Sequence, residues 1–325
     1  MPKWITKFLQ LRVDALVRYV LFIAAFLSLF NSHGKFNYDH IPEADIPKEL
    51  LLEVNPNLKN IKAKPACQYI ELLKNTKSLE PWQIPTEYND FSAAGITNGS
   101  FVPEECMPQL SVAILIPYRN RQSQLDQLLP YLHNFLRKQK IHYKIYVIEQ
   151  QDEKVFNKGL LFNIGARQAI LDKFPCLILH DVDLFPLDES NLYACLKQPR
   201  HMSASIDKFR YVLPYDYLVG GVLAMPSNLY IKVNGFSNSF LGWGGEDDDM
   251  AMRMEAQKLI LTRFPREMSR YSMIFHPQEK KNQERSHLLH NTHKRMDHDG
   301  YNSIKYSSVH VNNNRLFTLI GVKVL

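Results

Sequence analysis

Three short, unbroken apolar runs, separated by stretches of helical periodicity, restrict this chain to few architectures. Ser111–Pro117 (SVAILIP), Tyr143–Glu149 (YKIYVIE) and Cys176–His180 (CLILH) have the length and composition of buried strands. Between the first two, Leu125, Leu128, Leu129, Leu132, Phe135 and Leu136 recur at helical spacing, with Pro130 a candidate kink. Between the second and third, Leu160–Leu171 (LLFNIGARQAIL) reads as another helix. Strands alternating with helices predict βαβ units and a mostly parallel sheet, an α/β fold. The C-terminal KYSSVHVNNNRLFTLIGVKVL predicts two strands joined at Asn312–Asn314. No internal repeat or low-complexity tract interrupts this pattern.

The 325 residues allow one large domain or two small ones, and 45% hydrophobic content describes a globular chain. A net charge of +6 suits an anionic ligand or a membrane surface. Nucleic acid is not an expected partner, because no Lys/Arg stripe is interleaved with aromatics. Val13–Phe30 is largely apolar and about 18 residues long, near the minimum for a bilayer span. Lys3, Lys7 and Arg12 precede it, which puts the N-terminus in the cytosol and the rest in a lumen. No small-x-small cleavage site follows Phe30, which favours an uncleaved signal anchor over a cleaved signal peptide. The expected organisation is a cytosolic tail at 1–12, a transmembrane anchor at 13–30, a proline-dotted polar stem at 31–65 and a lumenal catalytic domain at 66–325. Cys67, Cys106, Cys176 and Cys195 form no CxxC motif, and four cysteines in a lumenal chain suggest two disulfides. Asn98-Gly99-Ser100 is a glycosylation sequon, usable only in a lumen.

The strand CLILH runs straight into Asp181-Val182-Asp183. Ligands of open α/β sheets bind at the carboxyl ends of strands. Two carboxylates there can hold a hard divalent cation, which in turn bridges a diphosphate; the plain alternative is a solvated turn. No GxxxxGK[ST] or GxGxxG loop is present, which argues against a P-loop kinase and a nicotinamide dehydrogenase. The second notable stretch is GWGGEDDD, Gly242–Asp249. Its tryptophan offers a platform for a sugar ring. Its carboxylates Glu246, Asp247, Asp248 and Asp249 can bind sugar hydroxyls, and one can accept a proton from an attacking hydroxyl. The alternative is the acidic start of a helix, where carboxylates favour the dipole; the two roles are compatible.

Taken together the motifs resemble the β-1,4-galactosyltransferase family, inverting enzymes of GT-A fold that transfer galactose or N-acetylgalactosamine from a UDP-sugar. The carriers are IPYRNR (Ile116–Arg121), FNKGLLFNIG (Phe156–Gly165), DVDLFP (Asp181–Pro186), QPRHMSASIDKFRYVLPY (Gln198–Tyr215), GGVLAM (Gly220–Met225), NGFSNSFLGWGGEDDD (Asn234–Asp249), MIFH (Met273–His276) and DGYNS (Asp299–Ser303). They stand in family order over roughly 66–305. The resemblance implies a Rossmann-like nucleotide-sugar domain behind a membrane anchor in the Golgi. It implies Mn²⁺ held by Asp183, Met273 and His276. Pro117, Tyr118, Arg119, Arg121, Phe156, Asn157, Lys158, Val182, Lys208 and Trp243 would contact the UDP-sugar. Asp247 would be the catalytic base. Tyr215, Gly245, Glu246, Asp248 and Arg285 would contact an acceptor ending in N-acetylglucosamine. The pairings Cys67–Cys106 and Cys176–Cys195 also follow from the resemblance.

Several features bear on specificity. Leu218 stands where galactose-specific relatives carry Tyr or Phe, which points to a donor of N-acetylgalactosamine, as in the family's invertebrate N-acetylgalactosaminyltransferase branch; UDP-galactose is the alternative. The family often has Arg at Lys158, and an aromatic where this chain has Ser286. Ile274 to about Arg295 would be a lid over the donor, and His287, His290 and His293 on it read as solvated rather than zinc-binding. A homodimer or an accessory membrane protein is an open expectation. The competing classes are a two-carboxylate glycoside hydrolase and a non-catalytic lectin-like relative.

Overall fold

The computed structural model describes residues 3–30, 34–58, 64–74, 77–85, 92–275 and 281–325. Among these, eleven strands form two sheets: β1 Ser100–Phe101, β2 Ser111–Tyr118, β3 His142–Gln150, β4 Cys176–His180, β5 Leu184–Pro186, β6 Arg200–His201, β7 Ser205–Ile206, β8 Val222–Pro226, β9 Arg270–Met273, β10 Ser308–Asn313 and β11 Thr318–Lys323. The large sheet has the order β10-β11-β3-β2-β4-β8-β6, with β1 also on β3. The small sheet is β5-β9-β7. Only the centre is paired in parallel: β11, β3, β2 and β4 run together, β10, β1 and β8 run against them, and β6 pairs antiparallel with β8. The sheet is therefore mixed, not mostly parallel. The three strands read from the sequence are present, and β4 begins and ends at the predicted residues.

The central strands are continuously apolar because both faces are covered. Successive side chains on β2 alternate between two cores. Val112, Ile114 and Ile116 join a core with Leu125, Leu128, Leu132 and Leu136 of the helix Gln122–Lys138. Ala113 and Leu115 join a second core with Leu160, Leu161 and Ile164 of the helix Lys158–Leu171. The first helix runs through Pro130 without ending there. The second is buried along most of its length and packs tightly where it starts. A Cβ built on Gly159 would lie 2.4 Å from the carbonyl oxygen of Ser237, so no side chain fits.

Both disulfides have the expected pairing, Cys67–Cys106 and Cys176–Cys195. The N-terminal residues hold two findings. A helix spans Lys3–Phe30, but among the described residues no helix is long and apolar enough to cross a membrane. Residues 34–58, read as part of a stem, pack against the catalytic fold. Ile46 and Leu50 are buried, Leu51 N donates to Cys195 O at 3.0 Å, and Asn55 N donates to Ser111 Oγ at 2.8 Å.

The tight start of Lys158–Leu171 generates a stability prediction. Gly159→Ala pushes a methyl against main chain that cannot retreat without moving the helix, and should cost about 1–3 kcal/mol. A thermal unfolding midpoint equal to wild type would show that the helix shifts freely.

Candidate active site

The parallel strands deliver their carboxyl ends to one edge, and the site is assembled there. β4 ends at His180, and the next residues are Asp181, Val182 and Asp183. His180 anchors this turn: its Nδ1 is 2.8 Å from Asp181 O and its Nε2 is 2.9 Å from Tyr193 Oη. Burial lowers the His180 pKa to about 4, so the ring is neutral. Asp183 is buried and precedes Leu184, which pairs with Met273 across β5 and β9. Ile274 N donates to Asp183 O at 2.9 Å. The strand register thus brings Asp183 and Met273 to one end of the small sheet. Asp207 fixes that end, accepting from Ser272 Oγ at 2.6 Å and from Met273 N at 2.9 Å. His276 lies outside the described residues. Among the described residues no group of three His, Cys, Asp or Glu side chains is arranged to hold a metal ion.

The helix Glu246–Ala256 brings in the acidic run. Lys158 Nζ lies 3.0 Å from Asp181, 3.5 Å from Asp247 and 3.6 Å from Glu246. Its burial disfavours the ammonium, but these three carboxylates outweigh that and raise its pKa well above the ordinary value. Burial also raises all three acids, against the pull of Lys158: Asp181 to about 6, Glu246 to about 7, and Asp247 upward in the same direction. One cation among three carboxylates leaves a net negative cluster, in which a proton is easily accommodated.

The four carboxylates do not act as a unit. Positions two apart on a helix are separated by about 200°, so Asp247 and Asp249 face opposite ways. Asp249 is buried, receives Arg253 Nε at 2.6 Å, Thr292 Oγ1 at 2.7 Å and Arg295 at 3.0 Å, and is unavailable to a sugar. Asp248 accepts from Tyr215 Oη at 2.8 Å. Asp247 reaches the site past Gly220. A Cβ there would lie 2.5 Å from Asp247 Oδ2, so Gly220 provides the clearance.

The remaining sequence-predicted residues fall into three groups. Around the acceptor side, Trp243 is half-exposed, Arg285 stacks over it at 5.9 Å, and a Cβ on Gly244 would also meet Arg285. Around the nucleotide side, Pro117 and Tyr118 close β2, and Arg119 lies 5.2 Å over the Phe156 ring. Asn157 caps the helix Lys158–Leu171 by accepting from Leu160 N at 2.9 Å, and also binds Asn238 O, so its side chain is largely committed to structure. Lys208 lies beside the Phe209 ring, in the turn that follows Asp207. Val182 packs at the margin of the larger core, and Gly245 opens the helix of Glu246. His287, His290 and His293 are exposed and gather around no common point.

Sequence reasoning missed Gly220 as clearance, Asp207 as the brace for Met273, and the clasp of Asp249 by Thr292 and Arg295. The pair Gly220-Gly221 was the one visible signal, since adjacent glycines before a strand mark close approach.

Comparison with known proteins covers the same part of the chain. A family model described as the N-terminal region of glycosyl transferase group 7 matches residues 73–196. One described as the N-terminal domain of galactosyltransferase matches residues 200–277. The chain is 41% identical to beta-1,4-galactosyltransferase 4 of Homo sapiens over 231 residues, 70% of this chain and 67% of the relative. It is 40% identical to beta-1,4-galactosyltransferase 1 of Mus musculus over 232 residues, 70% of this chain and 58% of the relative. The catalytic domain of Drosophila beta1,4galactosyltransferase 7, solved with xylobiose, superposes with a TM-score of 0.58 at 28% identity, over 66% of this chain and 94% of that one. A mutant of that enzyme with manganese, UDP-Gal and xylobiose superposes with a TM-score of 0.57 at 28% identity, over the same shares. The superpositions support a mixed α/β fold of GT-A type.

The raised pKa of Glu246 has a consequence for folding. Its folded value of about 7 exceeds the ordinary 4.5, so the stability that its protonated form contributes is full below the ordinary value and lost as pH rises through the folded one. Glu246→Gln removes that titration. Urea unfolding from about pH 4 to about pH 8 should show wild type losing stability relative to the variant across this window. Parallel curves would refute the shift.

Proposed function

The chain belongs to the β-1,4-galactosyltransferase family of hexosyltransferases, and from that premise we propose an inverting, Mn²⁺-dependent enzyme that transfers N-acetylgalactosamine from UDP-N-acetylgalactosamine, in β-1,4 linkage, to a terminal N-acetylglucosamine of a glycan. The observation that carries the chemistry is Asp247, held by Lys158, admitted by Gly220 and sharing a helix turn with Asp248.

Asp183, Met273 and His276 would hold the metal, and the pairing of Leu184 with Met273 fits that assignment for the two described ligands. A bound Mn²⁺ supplies Lewis-acid neutralisation of the diphosphate. The protein's own groups do the rest. Asp247 takes the proton of the acceptor hydroxyl as its oxygen bonds the anomeric carbon and the bond from that carbon to UDP breaks. Burial raises the basicity of Asp247, which suits a proton acceptor near neutral pH. Tyr215 orients Asp248, and Trp243 and Arg285 form the apolar and cationic wall on which a sugar ring stacks. Arg119 and Arg121 would meet the nucleotide, and Lys158, held among Asp181, Glu246 and Asp247, would add its charge beside the diphosphate. The solved mutant of the Drosophila relative is a complex with manganese, UDP-Gal and xylobiose, which supports the donor class and a sugar acceptor.

A Golgi membrane location and type II topology belong to the same proposal. They rest on the basic-then-apolar N-terminus and on the exposed Val13, Leu16, Leu21, Phe22 and Phe26 of its helix. Asn98 is exposed in a turn, where a glycan could be attached.

Two measurements test the proposal. Asp247→Asn should preserve Mn²⁺ and UDP binding by calorimetry while transfer falls by about 10²–10⁴-fold; near-normal turnover would remove Asp247 from the role of base. The donor assignment rests on Leu218, whose partly buried side chain packs with Tyr38, Ala204 and Leu213. Leu218→Tyr should move the kcat/KM ratio of UDP-N-acetylgalactosamine to UDP-galactose toward galactose by about 1–3 kcal/mol. A wild type that already prefers galactose would make UDP-galactose, the sugar named in the relatives, the donor here as well.

A further inference from the structure

Residues 213–220 carry three of the site's determinants: Tyr215 on Asp248, Leu218, and Gly220 against Asp247. The loop is irregular, and its middle residues Tyr215, Asp216 and Tyr217 are exposed between the buried Leu213 and Val219. Its support comes from about 180 residues earlier in the chain. Lys35 and Leu213 exchange two main-chain hydrogen bonds, Lys35 N to Leu213 O at 2.8 Å and Leu213 N to Lys35 O at 3.0 Å. Lys35 Nζ lies 2.7 Å from Asp216. The Tyr38 ring is buried against Leu213, Ala204 and Leu218. Arg263 lies 5.7 Å over that ring, and its Nη2 donates to Asp216 O at 2.7 Å and Leu218 O at 3.1 Å. Ile41 N returns a bond to Arg263 O at 3.0 Å. The N-terminal segment, Arg263 and the loop therefore form one packed unit, with Tyr38 at its centre.

We propose that the segment Gly34–Ile41 is a strap that positions the 213–220 loop, with Tyr38 the positioning residue for donor and acceptor recognition. The inference rests on the transferase reading above for its kinetic part. Tyr38 touches no reacting atom. It acts by packing on Leu213 and Leu218, and by holding Arg263 where its guanidinium can bind the loop carbonyls. A displacement of the loop moves Tyr215 and Leu218 together, while Gly220 stays anchored through its carbonyl to His201 and Ser203, so binding and donor choice respond while the proton acceptor stays in place. The ring carries this role: Tyr38 Oη makes no well-formed hydrogen bond, although the Ser205 and Ser269 hydroxyls lie near enough to influence it.

The test uses the full-length chain as wild type, Tyr38→Ala, Tyr38→Phe and Leu50→Ala. Leu50 is buried beyond the strap, where the chain pairs with Leu196, and controls for lost stability alone. Tyr38→Ala should raise the acceptor KM by about 5-fold or more and move the N-acetylgalactosamine-to-galactose ratio toward one, with kcat changed less than about 2-fold. Tyr38→Phe should match wild type, and Leu50→Ala should lower the unfolding temperature without moving KM. Hydrogen exchange at the Leu213 and Leu218 amides should quicken in Tyr38→Ala and in no other variant. This arm needs no turnover, so a wild type inactive with UDP-hexoses would defeat the function proposed above while exchange still decides on the strap. Wild-type KM and donor ratio in Tyr38→Ala, or unchanged exchange at Leu213, overturns the inference.

Discussion

The site depends on one buried ammonium. Lys158 stands at the start of a helix on one face of the sheet and meets Asp181 from the strand end and Glu246 and Asp247 from the acidic helix. Without a cation there, three carboxylates brought within a few ångströms of one another would repel, and two elements far apart in sequence would have no reason to converge. The same arrangement leaves the cluster short of positive charge. Burial, with the repulsion of neighbouring carboxylates, keeps the acids weak and Asp247 basic against the pull of Lys158, so the convergence that assembles the site also sets its chemistry. A chain with Arg at this position would keep the charge, with a planar fork in place of a point donor.

A second, drier contact closes the other side of the acidic helix. Asp249 is buried with Arg253 and draws Thr292 and Arg295 down onto the helix, while Arg295 also binds Asp299. The C-terminal part of the polar segment is thus pinned to the structure. Its N-terminal part reaches the site through the main-chain bond from Asn282 to Trp243 O.

The sequence made the core strands legible because they are covered on both faces, and a continuous apolar run admits little else. It did not show the antiparallel pairing of the short strands β1 and β6, because they are two residues each and carry no periodicity. The docked course of residues 34–58 was hidden for a related reason. Its attachments at Lys35, Leu51 and Asn55 are made largely by main chain, and main-chain hydrogen bonds leave no trace in side-chain composition. The acidic run was read correctly as a cluster and incorrectly as a set. Placing Asp249 away from Asp247 required knowing that the helix begins at Glu246. Asp183 was legible as part of the carboxylate pair that follows β4, whereas Met273 came from family resemblance, because the strand register that joins them involves residues ninety apart in the chain.

The disulfide Cys176–Cys195 spans 19 residues and encloses β4, the Asp181–Asp183 turn and β5. A loop of that size, closed in the unfolded chain, is worth about 3 kcal/mol. The consequence concerns how the protein is made. In a reducing cytosol the segment bearing Asp183 would fold without its tether, so chain recovered from such a host would hold its central sheet and yet be defective at the strand end. Oxidative folding, supplied by a secretory compartment or by an isomerase added in vitro, decides whether a preparation is competent as well as whether it is soluble.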